Sequence, residues 1–277
     1  MIFGEIMDIL LIIIGIILGL LAIYIFLIAP GKRHDIQGYR GARFAHRGLH
    51  DESRAENSMS AFSAAIDKGF GIELDVRLSK DGELVVFHDD TLDRVCGIEG
   101  RVDSFTAEEL AKMSLSGTKD GIPRFSKVLE LVDGRVPLLV EIKEDMGNSK
   151  VSEKCADMLS RYNGDYIVES FNPLSLRNSK KALKNIPHGV LSHKYYAYSK
   201  YRKPLYFLLQ VLVTNCLCRP AFVAYDHRHF RCVSLRIVRK LFRVTTFAWT
   251  IRSADEELMA YRHGFDGIIF ENYVPEE

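Results

Sequence analysis

The chain has 277 residues, and its 37 basic and 36 acidic side chains leave a formal net charge of +1 at pH 7. A charge this close to zero argues against nucleic-acid binding, which requires a basic surface. The length allows one large domain or two of ordinary size. The five cysteines show neither a disulfide framework nor zinc-site spacing, so we interpret them as ordinary thiols. They are Cys96, Cys155, Cys216, Cys218 and Cys232.

The amino-terminal segment contains an uncharged run of 21 residues, 9–29. As a helix rising about 1.5 Å per residue, this run would span roughly 30 Å, the thickness of a bilayer core. A cleaved signal peptide is the alternative, but it would need a basic start and a shorter apolar run. This chain begins instead with Glu5 and Asp8. We therefore predict an uncleaved transmembrane anchor over residues 1–30.

The anchor and its flanks predict a single-pass membrane protein. Gly15 and Gly19 form a G-x-x-x-G pair that could pack two such helices into a dimer. No Lys or Arg occurs in the first eight residues, whereas four basic residues follow the helix. The positive-inside rule then places the N-terminus outside and the large domain in the cytoplasm. The four basic residues are Lys32, Arg33, Arg40 and Arg43.

After a linker over residues 31–42, strands and helices alternate through residues 43–277. Eight βα units in this length predict an α/β fold, a (β/α)8 TIM barrel. No closing helix is expected after the last strand. The predicted strands begin near residues 44, 72, 138, 166, 189, 222, 244 and 267. The predicted helices cover residues 59–68, 106–113, 126–132, 150–162, 173–185, 205–217, 234–242 and 254–263.

The second strand carries an alternation of apolar and charged residues, and a returning strand follows it at 84–88. The period of two predicts a strand with one charged face, on which Glu73 and Asp75 lie. Asp81-Gly82 is a favoured two-residue hairpin turn. With that turn, Asp75 would stand directly opposite His88, close enough to interact.

Two other strands also end in residues suited to chemistry. The first ends in His46-Arg47, and the strand over 137–143 ends in Glu141 and Lys143. Barrel enzymes place their active sites at the carboxyl ends of the strands, so we expect all of these side chains to meet there.

This combination predicts metal-assisted phosphodiester chemistry. Glu73, Asp75 and Glu141 have no basic partner evident in the sequence, and three carboxylates suit Mg²⁺ or Ca²⁺ better than zinc. One of His46 and His88 would take a proton from the attacking hydroxyl, and the other would protonate the leaving oxygen. The residue pattern does not decide which histidine is the acid.

The sequence resembles the glycerophosphodiester phosphodiesterases, from about residue 44 to residue 266. The resemblance implies a TIM barrel that hydrolyses a glycerophosphodiester to an alcohol and glycerol 3-phosphate, with a possible cyclic phosphate intermediate made by the glycerol hydroxyl. It implies a divalent metal on Glu73, Asp75 and Glu141, acid-base catalysis by His46 and His88, and substrate contacts from Arg47, Lys143 and Trp249. The matching segments are His46-Arg47-Gly48, Glu56-Asn57-Ser58, Glu73-x-Asp75-Val76, Lys80-Asp81-Gly82, Val85-Val86-Phe87-His88-Asp89, Leu92-x-Arg94, Ile122-Pro123, Glu141-Ile142-Lys143, Ser170-Phe171 and Trp249-Thr250.

The chain departs from that family after its last strand, where Phe270-Glu271-Asn272-Tyr273 replaces the usual Thr-Asp-x-Pro type of sequence. Two alternatives to the family activity stay open. One is a different phosphodiester cleavage on the same barrel, as in sphingomyelinase D-like or phosphatidylinositol-cleaving enzymes. The other is a non-catalytic membrane scaffold.

Residues 194–221 look unlike the core of that family and hold a strongly apolar run preceded by aromatic and basic residues. One interpretation is the fifth barrel helix, with Leu205, Leu208, Leu209 and Leu212 packed on the sheet. The other is a membrane-interface insertion, because tyrosines beside Lys and Arg are typical of that interface. On the second interpretation the substrate would be a lysophospholipid or another membrane-borne glycerophosphodiester rather than a soluble one. The preceding residues are Tyr195, Tyr196, Tyr198, Lys200, Tyr201, Arg202 and Lys203.

Overall fold

The computed structural model describes residues 2–31, 36–197 and 203–276 of the chain. Eight parallel strands form a closed barrel, because the first strand pairs with both the second and the last. The predicted (β/α)8 fold is therefore confirmed. The strands are β1 Arg43–Ala45, β2 Gly71–Leu78, β3 Leu84–Val86, β4 Leu138–Ile142, β5 Tyr166–Ser170, β6 His188–Ser192, β7 Phe222–Asp226, β8 Thr245–Ile251 and β9 Gly267–Phe270, of which only β3 is antiparallel, at the edge of β2.

Helices cover the outside of the barrel, and several begin at residues suited to capping. Ser58 accepts a hydrogen bond from the amide of Ala61, and Thr106 forms a capping box with Glu109. Such caps satisfy amides that have no partner within the helix. The helices are α1 Ile2–Ile28, α2 Met59–Asp67, α3 Asp93–Cys96, α4 Ala107–Ala111, α5 Phe125–Val132, α6 Lys150–Leu159, α7 Pro173–Ser179, α8 Pro204–Gln210, α9 Asn215–Cys218, α10 Val233–Phe242 and α11 Ala254–Arg262.

The hairpin between β2 and β3 has a three-residue loop, not the two-residue turn expected. The amide of Ser79 donates to the carbonyl of Glu83 at 2.9 Å, which leaves residues 80–82 as the loop. Gly82 adopts a φ of +76°, a conformation that glycine enters without steric cost. The extra loop residue shifts every pair of the hairpin by one position.

The prediction that Asp75 stands opposite His88 is therefore wrong. The amide of Phe87 donates to the Asp75 carbonyl at 2.9 Å, and His88 lies one residue further on, beyond the end of β3. The guanidinium of Arg77 holds this turn by donating to the His88 carbonyl at 2.7 Å.

The predicted helix over residues 205–217 is also wrong, because it is divided into α8 and α9. Leu212, between them, has a φ of +59° and is completely buried in the core. Leu209 is buried with it, whereas Leu205 and Leu208 are exposed, so the four leucines do not form one packed stripe. Of the preceding residues, Tyr198, Lys200, Tyr201 and Arg202 lie outside the described residues.

The helices after β4 and β5 end earlier than expected, at Leu159 and Ser179 rather than near residues 162 and 185. Beyond each helix the chain turns back toward the next strand. Tyr162 and Leu183 pack on the core in these turns and do not belong to the helices.

Helix α1 contains one segment, Glu5–Ile28, that is long and apolar enough to cross a bilayer. Within the described part of the chain, α1 meets the barrel from Tyr24 onward, and Ile28 is completely buried in the main core cluster. The described part of the following segment also packs on the barrel. Gly31 donates its amide hydrogen to the Pro220 carbonyl at 3.1 Å, and Ile36 is buried. Lys32 and Arg33 lie outside the described residues.

Alternation along the strands determines which side chains point into the barrel. An apolar layer inside it includes Phe44, Leu139, Ile167, Phe222 and Phe247. Residues two positions further along a strand face the same way, nearer its carboxyl end. This places carboxylates from β2, β4 and β5 above that apolar layer. They are Glu73, Asp75, Glu141 and Glu169.

Candidate active site

The centre of the site is a cluster of three buried carboxylates from β2 and β4. Asp75 pairs in register with Glu141, and one oxygen each from Glu73, Asp75 and Glu141 lie within 4.8 Å of one another. Burial raises the pKa of Glu73 well above its ordinary value, and the charges of Asp75 and Glu141 raise it further. Three carboxylate oxygens this close together are ligands that suit Mg²⁺ or Ca²⁺. The cluster could hold one such ion.

The carboxylates have basic partners, contrary to the expectation from sequence. The Lys143 ammonium lies 2.7 Å from Glu141 and 3.1 Å from Asp75, and the Arg47 guanidinium lies 3.6 Å from Asp75. Burial alone would raise the pKa of Asp75, but Lys143 and other cationic neighbours outweigh it and hold that pKa well below its ordinary value. The Asn57 amide also donates to Asp75, at 2.8 Å. These pairs form because Lys143 directly follows β4, which lies beside β2. Local sequence does not show this proximity.

His46 follows β1 and keeps 17% of its side chain exposed. Its Nδ1 makes a short hydrogen bond to the Glu271 carboxylate, which also accepts from Arg252 at 2.8 Å. Burial lowers the pKa of His46 to about 4, although Glu271 acts in the opposite direction, so the imidazole is neutral at pH 7. With Nδ1–H donated to Glu271, Nε2 is the nitrogen that can exchange a proton with a substrate.

Glu271 is a residue that sequence reasoning missed. It belongs to the segment after β9 that departs from the family pattern, and the departure alone did not reveal its partner. Burial would raise its pKa, but the hydrogen bond with His46 and the His50 imidazole 3.9 Å away outweigh burial and lower it. The carboxylate is therefore charged and orients His46.

His88 has an equivalent partner in its neighbour Asp89, whose carboxylate lies 2.6 Å from Nδ1. The Arg94 guanidinium connects Asp89, at 2.6 Å, to Glu56, at 2.7 Å. Glu56 also accepts from Arg47 at 2.7 Å. Burial would raise the pKa of Glu56, but the two arginines outweigh it and lower the pKa to about 2. This network joins His88 to the cationic side of the carboxylate cluster.

The opposite side of the site is aromatic. The ring centroids of Phe171 and Trp249 are 5.7 Å apart, and the Lys143 ammonium lies 5.7 Å from the Phe171 centroid. His193 packs on Trp249 at 5.9 Å. Within the described part of the chain, the Trp249 indole nitrogen has no hydrogen-bond partner, which leaves it as a donor for a ligand.

A groove of about 570 Å³ leads away from the cluster. Its lining includes Glu141 and Lys143 from β4 and its end, Phe171, and Tyr206 and Leu209 of α8. The lining thus combines charged and apolar side chains, as an amphipathic ligand would require.

Glu169 is a second residue that sequence reasoning missed. It is buried and pairs in register with Glu141. Burial raises its pKa well above the ordinary value, and the charges of Glu73 and Glu141 add to this effect. Alternation along β5, which places Glu169 on the same inward-facing side as Ile167, was the sequence feature that could have identified it. The structure otherwise brings all ten residues singled out from the sequence to the carboxyl ends of the strands. Eight of them are joined there by direct contacts or through one side chain, whereas His88 is joined through Asp89 and Arg94. His46 is held by Glu271. The ten residues are His46, Arg47, Glu56, Asn57, Glu73, Asp75, His88, Glu141, Lys143 and Trp249.

Comparison with known proteins identifies the relatives of this barrel. The model of the glycerophosphoryl diester phosphodiesterase family matches residues 46–274. The glycerophosphodiester phosphodiesterase of Caldanaerobacter subterraneus subsp. tengcongensis is 33% identical over 250 residues, covering 81% of this chain and 91% of that protein. A human lysophospholipase D is 28% identical over 145 residues, covering 48% of this chain and 45% of that protein. The structure of an Oleispira antarctica phosphodiesterase in complex with sn-glycerol-3-phosphate superposes with a TM-score of 0.69 at 23% identity, covering 86% and 95% of the two chains.

The fold and these relatives define the protein as a TIM-barrel hydrolase of phosphoric diesters. The chain belongs to the glycerophosphoryl diester phosphodiesterase family, and it is an enzyme that hydrolyses glycerophosphodiesters. The non-catalytic scaffold left open by the sequence is thereby set aside.

Proposed function

We propose that the protein is a membrane-anchored, metal-dependent phosphodiesterase that cleaves lysophospholipids as well as glycerophosphodiesters. Cleavage would release an alcohol together with glycerol 3-phosphate or a lysophosphatidic-acid-type product. The observation that carries the proposal is a pair of histidines, each held at Nδ1 by a carboxylate, beside a buried carboxylate cluster.

The donor set fits one divalent cation, Mg²⁺ or Ca²⁺, held by Glu73, Asp75 and Glu141. When bound, such an ion supplies positive charge that stabilises the charge developing on the phosphoryl oxygens. Lys143 and Arg47 add fixed cations beside it, so they would bind and orient the anionic phosphate.

The two histidines exchange protons with the substrate in this proposal. As the attacking hydroxyl forms its bond to phosphorus, one imidazole Nε2 takes the hydroxyl proton. As the bond from phosphorus to the leaving oxygen breaks, the other imidazole gives that oxygen a proton. Glu271 and Asp89 keep each ring in the orientation and tautomer that these transfers require.

The groove supports a substrate with an apolar chain. Its charged lining at Lys143 suits the phosphodiester, and its apolar lining at Tyr206 and Leu209 suits an acyl group. The name of the human relative, a lysophospholipase D, agrees with this substrate class. Trp249 and Phe171 would bind the part of the substrate between the phosphodiester and the acyl group.

The amino-terminal helix supports a single-pass membrane location, with the barrel in the cytoplasm as the basic residues Arg40 and Arg43 indicate. A cleaved signal peptide would remove Ile28 from the barrel core, and that loss argues for an uncleaved anchor. At Gly15 and Gly19, nothing lies within 4 Å of an added Cβ, so this helix face is open for pairing with a second anchor.

The test uses the full chain in detergent, assayed with glycerophosphocholine and lysophosphatidylcholine in Mg²⁺, in Ca²⁺ and in chelator. Activity on both substrates should require a divalent ion. His46→Ala and His88→Ala should each lower kcat by about 10²–10⁴-fold. His263→Ala, at a histidine that stacks on Phe230 outside the site, is the control.

A p-nitrophenyl phosphodiester distinguishes the two histidines, because its leaving group needs no protonation. It should restore turnover to only one of the two variants, the one that lost the acid. Equal losses of turnover in the two variants with this substrate would contradict the assignment of one acid and one base. Full activity of the parent enzyme in chelator would contradict the proposed metal requirement.

A further inference from the structure

The last turns of α1 are fixed to the barrel by several polar contacts. The Tyr24 hydroxyl lies 2.6 Å from the Ser234 hydroxyl, and the Asn215 amide donates to the Ile28 carbonyl at 3.0 Å. Arg219 donates to the Ala29 carbonyl at 3.1 Å and packs on the Phe26 ring at 4.4 Å. Because the carbonyls at the end of α1 are satisfied by barrel residues, the helix has one orientation relative to the barrel.

These contacts also determine the direction of α1. The Gly31 amide donates to the Pro220 carbonyl. Pro220 precedes β7 and so lies at the end of the barrel where the strands begin. The Tyr24 hydroxyl hydrogen-bonds the Ser234 hydroxyl, in the first turn of α10. Because α10 follows β7, its first turn lies at the opposite end of the barrel, where the strands finish and the site lies. We call that end the catalytic face. Toward its amino terminus, α1 therefore extends past the catalytic face.

The part of α1 beyond Tyr24 has the length of a bilayer core. Residues 5–23 are all exposed, and at about 1.5 Å per residue they extend roughly 28 Å. No spacer separates this span from the barrel, because Tyr24 is already in contact with Ser234. A bilayer crossed by α1 would consequently lie directly beside the catalytic face.

Helix α8 lies on the same sector of the catalytic face. The Leu209 carbonyl accepts from Ser192 at the end of β6, at 3.0 Å, and the Gln210 carbonyl accepts from Tyr225 near the end of β7, at 3.3 Å. On the outer side of α8, Phe207 is 47% exposed and Leu208 is 43% exposed. Apolar side chains this exposed, next to a membrane span, fit the headgroup boundary of a bilayer.

We propose that the docked anchor holds the catalytic face against the bilayer surface, with α8 inserted in the lipid interface as the rim of the substrate groove. The exposed outer surface of α8 thus contacts the membrane. The inner side of α8, at Tyr206 and Leu209, lines the groove that leads to Lys143. A lysophospholipid could then pass from the bilayer to the site with its acyl chain never exposed to bulk water. This route rests on the substrate proposed above, whereas the orientation of the barrel rests only on α1 as an uncleaved membrane span.

The orientation is tested by fluorescence in the full chain, reconstituted into phosphatidylcholine vesicles whose acyl chains carry bromine. L208W places a tryptophan on the outer side of α8. L241W is the matched control, because Leu241 is 57% exposed but lies in the last turn of α10, near the start of β8. Trp249 contributes equally to both.

The emission added by L208W should be blue-shifted and lost in brominated vesicles, and the emission added by L241W should be unchanged. Quenching of L241W, or quenching of neither variant, would overturn the proposed orientation. This result does not depend on what the enzyme cleaves.

The route is tested separately by activity. Replacing Phe207 and Leu208 with Ser should lower kcat/KM for vesicle-bound lysophosphatidylcholine at least about tenfold, since two apolar side chains leave the interface. Activity on soluble glycerophosphocholine should stay the same, and Leu241→Ser should change neither. An unchanged rate on vesicles would refute the α8 rim. A parent enzyme inactive on both substrates would instead refute the proposed function.

Discussion

At the scale of single residues, the site is organised by carboxylates that orient histidines. His46 and Glu271 are 225 positions apart in the chain, yet their side chains share a short hydrogen bond. His88 obtains the same support from its neighbour Asp89. A carboxylate on Nδ1 fixes the tautomer and favours the protonated ring that forms during proton transfer. Glu271 is thus a positioning residue in the proposed mechanism.

Glu271→Gln should keep the size of the side chain and remove its charge. We expect kcat to fall by about 10²-fold or more, because His46 loses its orientation and the support for its charged form. Steady-state kinetics on glycerophosphocholine measure the change, and KM should move much less than kcat. Glu276→Gln, at an exposed carboxylate five residues further on, is the control. A kcat equal to that of the parent would show that Glu271 has no such role.

At the scale of elements, the end of α1 is part of the barrel while the rest of that helix is not. Ile28 is completely buried, whereas Ile23, five positions earlier, is 57% exposed. The boundary between the two environments falls within the last turns of one continuous helix. Removing the last turn of α1 would therefore expose the core cluster in which Ile28 packs.

Ile28→Ala should destabilise the barrel by about 2–5 kcal/mol, the usual cost of truncating a buried Ile. Ile23→Ala makes the same chemical change at an exposed position and should leave barrel stability in detergent nearly unchanged. Thermal unfolding followed through the emission of Trp249 reports both. Equal effects of the two substitutions would mean that the last turn of α1 does not dock as described.

At the scale of the whole molecule, closing the barrel confines three carboxylates in a buried space. The pKa values of Glu73 and Glu141 are raised in the folded state, mainly by burial. A carboxyl whose folded pKa is raised stabilises the fold below its ordinary pKa, near 4.5, and loses that contribution as the pH rises through the raised value. Asp75, whose pKa is lowered, acts in the opposite direction at more acidic pH, below its ordinary value of 3.8.

Metal binding should therefore stabilise the protein more at pH 8 than at pH 5.5. At pH 8 a metal concentration 100 times its Kd adds about 2.7 kcal/mol, which corresponds to roughly 5–10 °C in Tm for a domain of this size. Scanning calorimetry with and without Mg²⁺ or Ca²⁺ at both pH values measures the difference. In the Glu73→Gln/Glu141→Gln double variant, both the metal effect and its pH dependence should disappear. A metal-induced rise in Tm that is larger at pH 5.5 would contradict this assignment of charge.

The sequence by itself determined the barrel and most of the residues of its site. Apolar runs at regular spacing marked the eight strands, and alternation along β2 marked Glu73 and Asp75 as sharing one face. Such features are local, since they follow from the period of a strand or helix. The same strand pattern marked His46 and His88, which follow β1 and β3 in the structure.

Only the tertiary structure decided which of these residues are partners. Closure of the barrel places β9 beside β1, which brings Glu271 to His46, and places β4 beside β2, which brings Lys143 to Asp75. The division of residues 205–217 at the buried Leu212 and the docking of α1 have the same origin. Each depends on packing between segments distant in the chain, and that packing outweighs the local preferences that a sequence displays.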